Sequence, residues 1–547
     1  MKQNLFRRFL RGSWHKVICL CFLGGATSLC GVYLALVAKR VVDGVTGQST
    51  ENLVSCGITL GVLIFLQLVF QIFLTSLSVR TVTGMRFRIQ SQVFEKYLHK
   101  QKLQVDRFHS GELVNRICGD AGIIADGVVN IIPSLVSVGA RIIFGFCALL
   151  MLDSVLALLC VFAGILMLLV AQIYRKKSRP IFKQSRVCEG KIRSFVQETA
   201  QNLAVIKAFS VYDIVKRQLG RAQEEAYDLA ILRNRLSISV NVCFYVAMTA
   251  GYYLALGWGA WRIFTGAMSF GTLTAILGLT GDITTPFRSL ASLFPQYVSV
   301  STSVERLDEL EVLPDDEIVV SEKPEGLYDT MKEIRLSDIG FSYGDAPVLQ
   351  GVSAVFPKNT LTAITGDSGA GKSTLLSLLA GISVPQTGKI LLETVDGSLE
   401  LDGTHRGLFA YVPQDFLLLS GNVLENITLF EENPDMERFW QAIAMAELEQ
   451  VITDLPNGVE TFLGEGGSRL SGGQRQRMAL ARALYSKAEI LLLDEATSAL
   501  SRDLEEKVLK KLRKSGRTVI FVTHRHTAAG LCDRTLFVEY GRLTELE

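Results

Sequence analysis

The chain has 547 residues, enough for two to four domains, and a formal charge of only +2. So balanced a charge provides no general polyanion-binding surface, and no nucleic-acid partner is expected. Its ten cysteines contain no Cys-x-x-Cys pair and mostly lie in apolar runs, which argues against a metal or disulfide framework.

Apolar residues concentrate in the first three hundred or so positions, where several stretches reach the roughly 20 residues needed to cross a bilayer core. Six spans are expected, at about 17–42, 53–79, 128–152, 154–174, 236–261 and 270–293, with a hinge near Asp153 between the third and fourth. The segment before Val17 is too short for an N-terminal peptidase or other accessory domain, so none is expected. The first span is also too long, and too closely followed by others, to be a cleaved signal peptide. Lys2, Arg7, Arg8, Arg11 and Lys16 precede the first span; a second basic segment from Arg80 to Arg107 and a third opening at Arg175-Lys176-Lys177 follow the second and fourth. The positive-inside rule then puts both termini in the cytoplasm, Lys39 and Arg40 notwithstanding.

The inside segments are long and helical in pattern. Met85–Leu103 and Ile192–Leu236 carry charge with apolar residues at helical spacing, and would project the spans roughly 35–45 Å beyond the membrane. Each up-and-down pair must turn at its far end, around Phe108-His109-Ser110-Gly111 and around Glu198–Ala208, where a short helix could touch a cytoplasmic domain. Arg141 and Asp282 are charges within spans, with Arg288 beyond. Two readings stay open for them: substrate contacts or a gating pair in a central cavity, and a structural ion pair or an Arg141 reaching the headgroups. Gln67, Gln71, Tyr252 and Tyr253 would suit an amphipathic cavity.

Acidic, proline-containing residues 312–332 form a linker, and the chain then reads as alternating strands and helices. Ile334–Ser342 is a strand leading to Tyr343, an aromatic placed where it could stack on an adenine. Strand Leu361–Thr365 runs into Gly366-Asp367-Ser368-Gly369-Ala370-Gly371-Lys372-Ser373-Thr374, a Walker A phosphate loop followed by a helix over Leu375–Ala380. Its backbone N–H groups and helix N-terminus would face phosphate oxygens, Lys372 would reach the β- and γ-phosphates, and the Ser373 hydroxyl would ligate Mg²⁺. Strand Phe409–Val412 leads to Gln414. Leu470-Ser471-Gly472-Gly473-Gln474 opens a helix, a second anion-binding geometry. Ile490–Glu495 is a buried strand ending in two carboxylates, one to hold Mg²⁺ and one to polarise water. Strand Thr518–Val522 ends at His524, on the ligand-binding edge of a doubly wound sheet.

These motifs, in this order and spacing, resemble the nucleotide-binding domain of an ABC transporter. The first half is similar to the six-helix domain of ABC exporters, with Ser110-Gly111-Glu112-Leu113, Arg116, Asp120, Glu198, Lys207-Ala208-Phe209 and Pro286 as its own signatures. Thr461–Gly467 resembles the exporter loop that senses the membrane domain. The resemblance implies an α-helical six-span membrane domain (1–311) with long cytoplasmic helical extensions. Linker 312–332 then joins it to an α/β P-loop nucleotide-binding domain (333–547) with an ABC-specific helical subdomain. It also implies ATP and Mg²⁺ as cofactors. In it Tyr343 stacks on adenine, Gly366–Thr374 hold the phosphates, and Ser373, Gln414 and Asp494 arrange Mg²⁺ and water. Glu495 is the general base and His524 contacts the γ-phosphate. Ser471, Gly472, Gly473 and Gln474 face the ATP of another subunit, so the chain would be a half-transporter working as a dimer, homodimer or heterodimer. The expected activity is ATP-driven export of a peptide, lipid or drug across the cytoplasmic membrane. An importer on the same fold, for instance for a metal chelate, and an ATP-gated channel or regulatory membrane protein are the alternatives.

Two positions depart from the family pattern. Ser501 stands where the family has Asp after Ser498-Ala499-Leu500, which weakens an expected cross-dimer contact. Asn359 replaces a common glycine before the Walker A strand.

Overall fold

A computed structural model describes residues 12–47, 53–108, 110–316, 326–344, 346–415 and 418–546. The chain divides into two compact units, Met1–Glu95 with Ser110–Val312, and Lys96–His109 with Leu313–Glu547.

The first unit is built from long helices: α1 (Trp14–Val45), α2 (Leu53–Leu98), α3 (Ala121–Leu152), α4 (Ser154–Gln201), α5 (Tyr212–Phe264) and α6 (Phe270–Val312). Among the described residues, five helices are long and apolar enough to cross a membrane; the apolar part of α6 described in this way is Phe270–Gly281. The side chains of Asp282, Pro286 and Arg288 lie outside the described residues. Such helices satisfy every backbone hydrogen bond internally, the condition hydrocarbon imposes. Within the most apolar window of α2 only 6% of the residues are buried.

α3 and α4 meet at Asp153, whose extended backbone breaks the helix. Asp153 then caps α4, its Oδ1 accepting from the backbone N–H groups of Val155 and Leu156 at 3.0 and 3.1 Å. The other carboxylate oxygen accepts from Trp258 Nε1 at 3.3 Å and faces Arg262, tying the top of α4 to the end of α5. At the opposite end of the helices, buried Arg116 pairs with Glu112 and Glu309 at 2.8 and 2.9 Å. Asp120 accepts from Ser303 and Arg306, so the turns leading into α3 are clamped to the last third of α6.

The turns between helices differ in detail from expectation. α2 stops at Leu98, earlier than Leu103, and a short helix follows over Lys102–Val105; a second short helix, Ser110–Val114, starts within the expected turn Phe108–Gly111, of which His109 is outside the described residues. The other turn falls where the sequence puts it, with α4 ending at Gln201 and a short helix over Leu203–Ala208.

The second unit holds two sheets. One is antiparallel, in the order β2 (Ala346–Pro357), β1 (Met331–Tyr343), β4 (Thr387–Thr394), β5 (Ser398–Glu400). The other runs β10 (Arg542–Leu546), β9 (Arg534–Glu539), β3 (Leu361–Gly366), β8 (Thr518–Val522), β7 (Ile490–Asp494), β6 (Phe409–Val412), parallel except at the β10 edge. β7 and β8 are buried at every position, the pattern of parallel strands covered on both faces. Alternation along β7 sends Leu491 and Leu493 into a core shared with the helices of residues 423–512, and Ile490 and Leu492 into a second core containing β1, β4 and the helix after the phosphate loop.

Residues 96–109 belong to this unit through specific bonds. Lys100 Nζ is buried and donates to Leu313 O and to Asp315 Oδ1, both at 2.6 Å. Asp316 donates its N–H to His99 O and pairs with Arg406, which also donates to Gly381 O. Leu103 packs on the second core.

Candidate functional site: a phosphate loop and a carboxylate pair on one sheet edge

β3 delivers the phosphate loop and α7 (Lys372–Leu379) leaves it. The loop depends on glycine at both ends. Gly366 has φ +143° and a Cβ there would lie 2.2 Å from Val538 O; Gly371 has φ +100° and caps α7. The turn folds back on its own lysine: buried Lys372 donates from Nζ to Gly366 O at 3.0 Å and Asp367 O at 2.7 Å. Burial pushes the Lys372 ammonium below the usual lysine range, and the nearby charges of Glu495, Asp494 and Asp367 oppose that shift. Its charge faces the two carboxylates.

Asp494 ends β7 and is 1% exposed. Burial raises its pKa, a bond from the Ser373 hydroxyl lowers it, and the neighbouring Glu495 charge raises it again. Its Oδ2 accepts from Tyr411 Oη at 3.4 Å, while Oδ1 is buried without a hydrogen-bond partner among the described residues. An unpaired, buried carboxylate oxygen beside a serine hydroxyl is a donor set suited to a hard divalent cation. The residues therefore fit Mg²⁺, which Ser373 and Asp494 would hold, and Gln414 is within hydrogen-bond reach of the adjoining Glu495 carboxylate.

Glu495 lies just past the strand, contrary to a reading in which both acids end it. Its φ of +52° puts it in the left-handed region, uncommon for a residue with a side chain. Its carboxylate meets the ends of the neighbouring strands: Oε1 lies 3.0 Å from His524 Nε2, and Oε2 accepts from Gln414 Nε2 at 3.3 Å. Its N–H donates to Val522 O, linking β7 to the end of β8 just before His524. Thus Gln414, Glu495 and His524, from the ends of three adjacent strands, converge.

Tyr343, half-exposed at the end of β1, packs edge-on against Phe341 with centroids 5.0 Å apart, and its Oη accepts from Thr374 Oγ1 at 3.5 Å. The ring stands beside the loop with one side open.

Ser471–Gln474 begin α8 (Gly472–Tyr485) in a capping box: Ser471 Oγ accepts from Gln474 N–H at 3.3 Å, and Gln474 Oε1 accepts from Ser471 N–H at 2.8 Å. Among the described residues no hydrogen bond or ion pair joins Ser471–Gln474 to Gly366–Thr374. Ser501 caps α9 (Arg502–Arg513) without a side-chain bond. Asn359 adopts φ +58°, which Asn tolerates, and its Oδ1 accepts from Tyr328 Oη at 3.0 Å.

Three residues of the site carry no motif of their own. Tyr411 reaches Asp494, and Arg525 donates to Ser498 O and Leu500 O while pairing with buried Glu505. Gln476 is fully buried in α8. Its signal in the sequence is a polar residue in an otherwise apolar stripe with Ala479, Leu480 and Ala483.

In the first unit, Arg141 lines a cleft of about 300 Å³ with Gln71, Asn130 and Ser137. Among the described residues it has no ion-pair partner, and pairing with Asp282 lies outside them. Tyr252 and Tyr253 contact each other edge-on at 5.6 Å.

Family models agree with both halves. The one described as ABC transporter transmembrane region matches residues 17–287, and the one described as ABC transporter matches residues 349–498. The ATP-dependent lipid A-core flippase of Bordetella avium is 26% identical, with 100% of this chain and 93% of that protein aligned. The mycobactin import ATP-binding/permease protein IrtB of Mycolicibacterium smegmatis is 31% identical over 64% of this chain and 60% of that protein. The chain spans about half, 52%, of the length of the ABC transporter B family member 1 of Dictyostelium discoideum, to which it is 29% identical. A solved bacterial Atm1-family ABC exporter with ATP bound shares the fold, with a TM-score of 0.78 and 23% identity over 98% of this chain and 95% of that one. With its transmembrane region and its nucleotide-binding domain in one polypeptide, this chain belongs to the ABC transporter family.

Proposed function

We propose that the chain is a half-transporter that uses ATP to export an amphipathic or hydrophobic substrate (peptide, lipid or drug) across the cytoplasmic membrane. The observation that carries this reading is the shared edge on which Lys372 faces Asp494 and Glu495, with Glu495 held between Gln414 and His524. Lys372 and the loop N–H groups bind the β- and γ-phosphates, and Tyr343 stacks on the adenine through its open side. Mg²⁺ held by Ser373, Gln414 and Asp494 would neutralise phosphate charge. Glu495 accepts the proton of the attacking water, and His524 keeps the carboxylate oriented while contacting the γ-phosphate. Ser471–Gln474 complete the ATP site of a second subunit, their serine hydroxyl and helix N-terminus turned to its γ-phosphate. ATP then favours the state in which two such domains close head to tail, and that preference drives the membrane helices between inward- and outward-facing forms. Both termini and the nucleotide-binding domain lie in the cytoplasm, as the basic segments favour.

The names of the lipid A-core flippase and the Atm1-family exporter support outward transport. The relative named for mycobactin import is the observation favouring a second reading, import on the same fold. ATP-dependent accumulation of a fluorescent amphipath in inside-out vesicles, abolished by Glu495→Gln, is the expected result. Accumulation in right-side-out vesicles alone would reverse the direction.

A further inference from the structure

The amide side chain of Gln476 ends at the backbone of Glu495. Its Nε2 donates to Glu495 O at 3.0 Å and to Ser498 Oγ at 2.7 Å, and its Oε1 accepts from Ala499 N–H at 2.8 Å. The group is fully buried, so each of these bonds replaces water that cannot reach it. The Glu495 peptide needs such support. Its left-handed backbone is uphill for a residue with a side chain, and it persists only where the surroundings over-determine it. Glu495 O also accepts from Ser498 N–H at 3.0 Å, so Gln476 and the turn grip the same carbonyl. From the other side Arg525 donates to Ser498 O and Leu500 O, and Glu505 accepts from Thr497 Oγ1 at 2.6 Å. Near Gln476 the first turn of α8 touches this segment: a Cβ on Gly473 would sit 3.0 Å from Ala499 O.

We propose that Gln476 is a positioning residue for Glu495, and that it transmits the state of Ser471–Gln474 to the carboxylate of its own chain. The inference rests on Glu495 being the general base and on Ser471–Gln474 contacting a second subunit's ATP. Gln476 lies one helical turn into the helix that those residues begin, so any shift of that N-terminus on meeting a phosphate is felt at the Glu495 carbonyl. The route stays inside one chain. It therefore does not need the aspartate that Ser501 replaces.

The test uses the full chain in lipid nanodiscs, with Gln476→Met, which keeps length and volume but removes all three bonds. Expected are nucleotide affinity within about twofold of wild type and kcat lower by ~10–100-fold, the loss typical of a reacting group displaced by about an ångström. KM for ATP should hardly move. A merely structural role would lower affinity, the thermal midpoint and kcat together. The decisive arm is the residual turnover in a Glu495→Gln background, where adding Gln476→Met should change almost nothing. An equal further loss there would mean that Gln476 acts independently of Glu495, and wild-type kcat in Gln476→Met alone would overturn the proposal. Gln476→Glu, which retains an acceptor for Ala499 N–H but no donor for Glu495 O, guards against a misfolded Met variant. It should also bind ATP and turn over slowly, and wild-type turnover in it would be equally fatal. If Glu495→Gln itself hydrolysed ATP at the wild-type rate, the general-base assignment would fail first, and the Gln476 results would be read apart from it.

Discussion

Lys372 and Glu495 contribute to one site in different ways, and substitution should separate them. Lys372 is a buried cation whose local acceptors are two backbone carbonyls, so its charge is available to a phosphate at little structural cost. Lys372→Ala removes a charge-assisted contact worth about 1.5–3 kcal/mol, so nucleotide affinity should fall ~10–100-fold in a fluorescent-ATP titration. Unchanged affinity would count against the phosphate-loop reading. Glu495→Gln keeps the size and the neighbours Gln414 and His524 but cannot accept a proton. Binding should persist while phosphate release in a steady-state assay drops by at least ~10²-fold. Wild-type turnover would remove Glu495 from the chemistry.

At the scale of elements, the clip between Lys100 and Asp315 joins the end of α2 to the segment after α6 within the nucleotide-binding unit. The hydrogen bond from Lys100, then its charge, hold the Asp315 carboxyl below the usual aspartate range. A depressed folded value means that the stabilisation is present above the unfolded value of about 3.9 and is lost as pH falls through the lower folded one. Asp315→Asn should therefore lower the thermal midpoint at pH 7, and the difference from wild type should close only below about pH 4. A gap independent of pH would assign the effect to something other than the carboxylate. Phe521, fully buried on β8, tests the sheet itself: Phe521→Ala should cost about 3–5 kcal/mol in denaturant unfolding of the nucleotide-binding unit. These elements were legible to different degrees. β8 falls at the position its apolar run gives, because a strand buried on both faces needs an uninterrupted apolar stretch. The left-handed turn at Glu495 was not legible, since the conformation is imposed by Gln476, Val522 and Ser498, residues distant in pattern from the acid pair. The earlier stop of α2 at Leu98 has a similar origin: residues 99–101 leave the helix to bond the segment 313–316, a long-range pairing that helical spacing cannot register.

At the scale of the whole molecule, the apolar membrane helices and the single phosphate loop both call for company. A window of α2 with only 6% of its residues buried needs lipid or another subunit around it. Glu495→Gln protein in ATP should run as a dimer in light scattering of the detergent-solubilised chain; a monomer would point to a different second subunit. The alternation along β7 has a further bearing. Leu491 and Leu492 are chain neighbours, yet one belongs to the core of the helices at 423–512 and the other to the core of β1, β4 and α7. The nucleotide site thus sits on a seam between two separately packed halves that share only a one-strand-thick wall. Amide hydrogen exchange should resolve them, with Leu491→Ala accelerating exchange in the helical half and Leu492→Ala in the half that carries the phosphate loop.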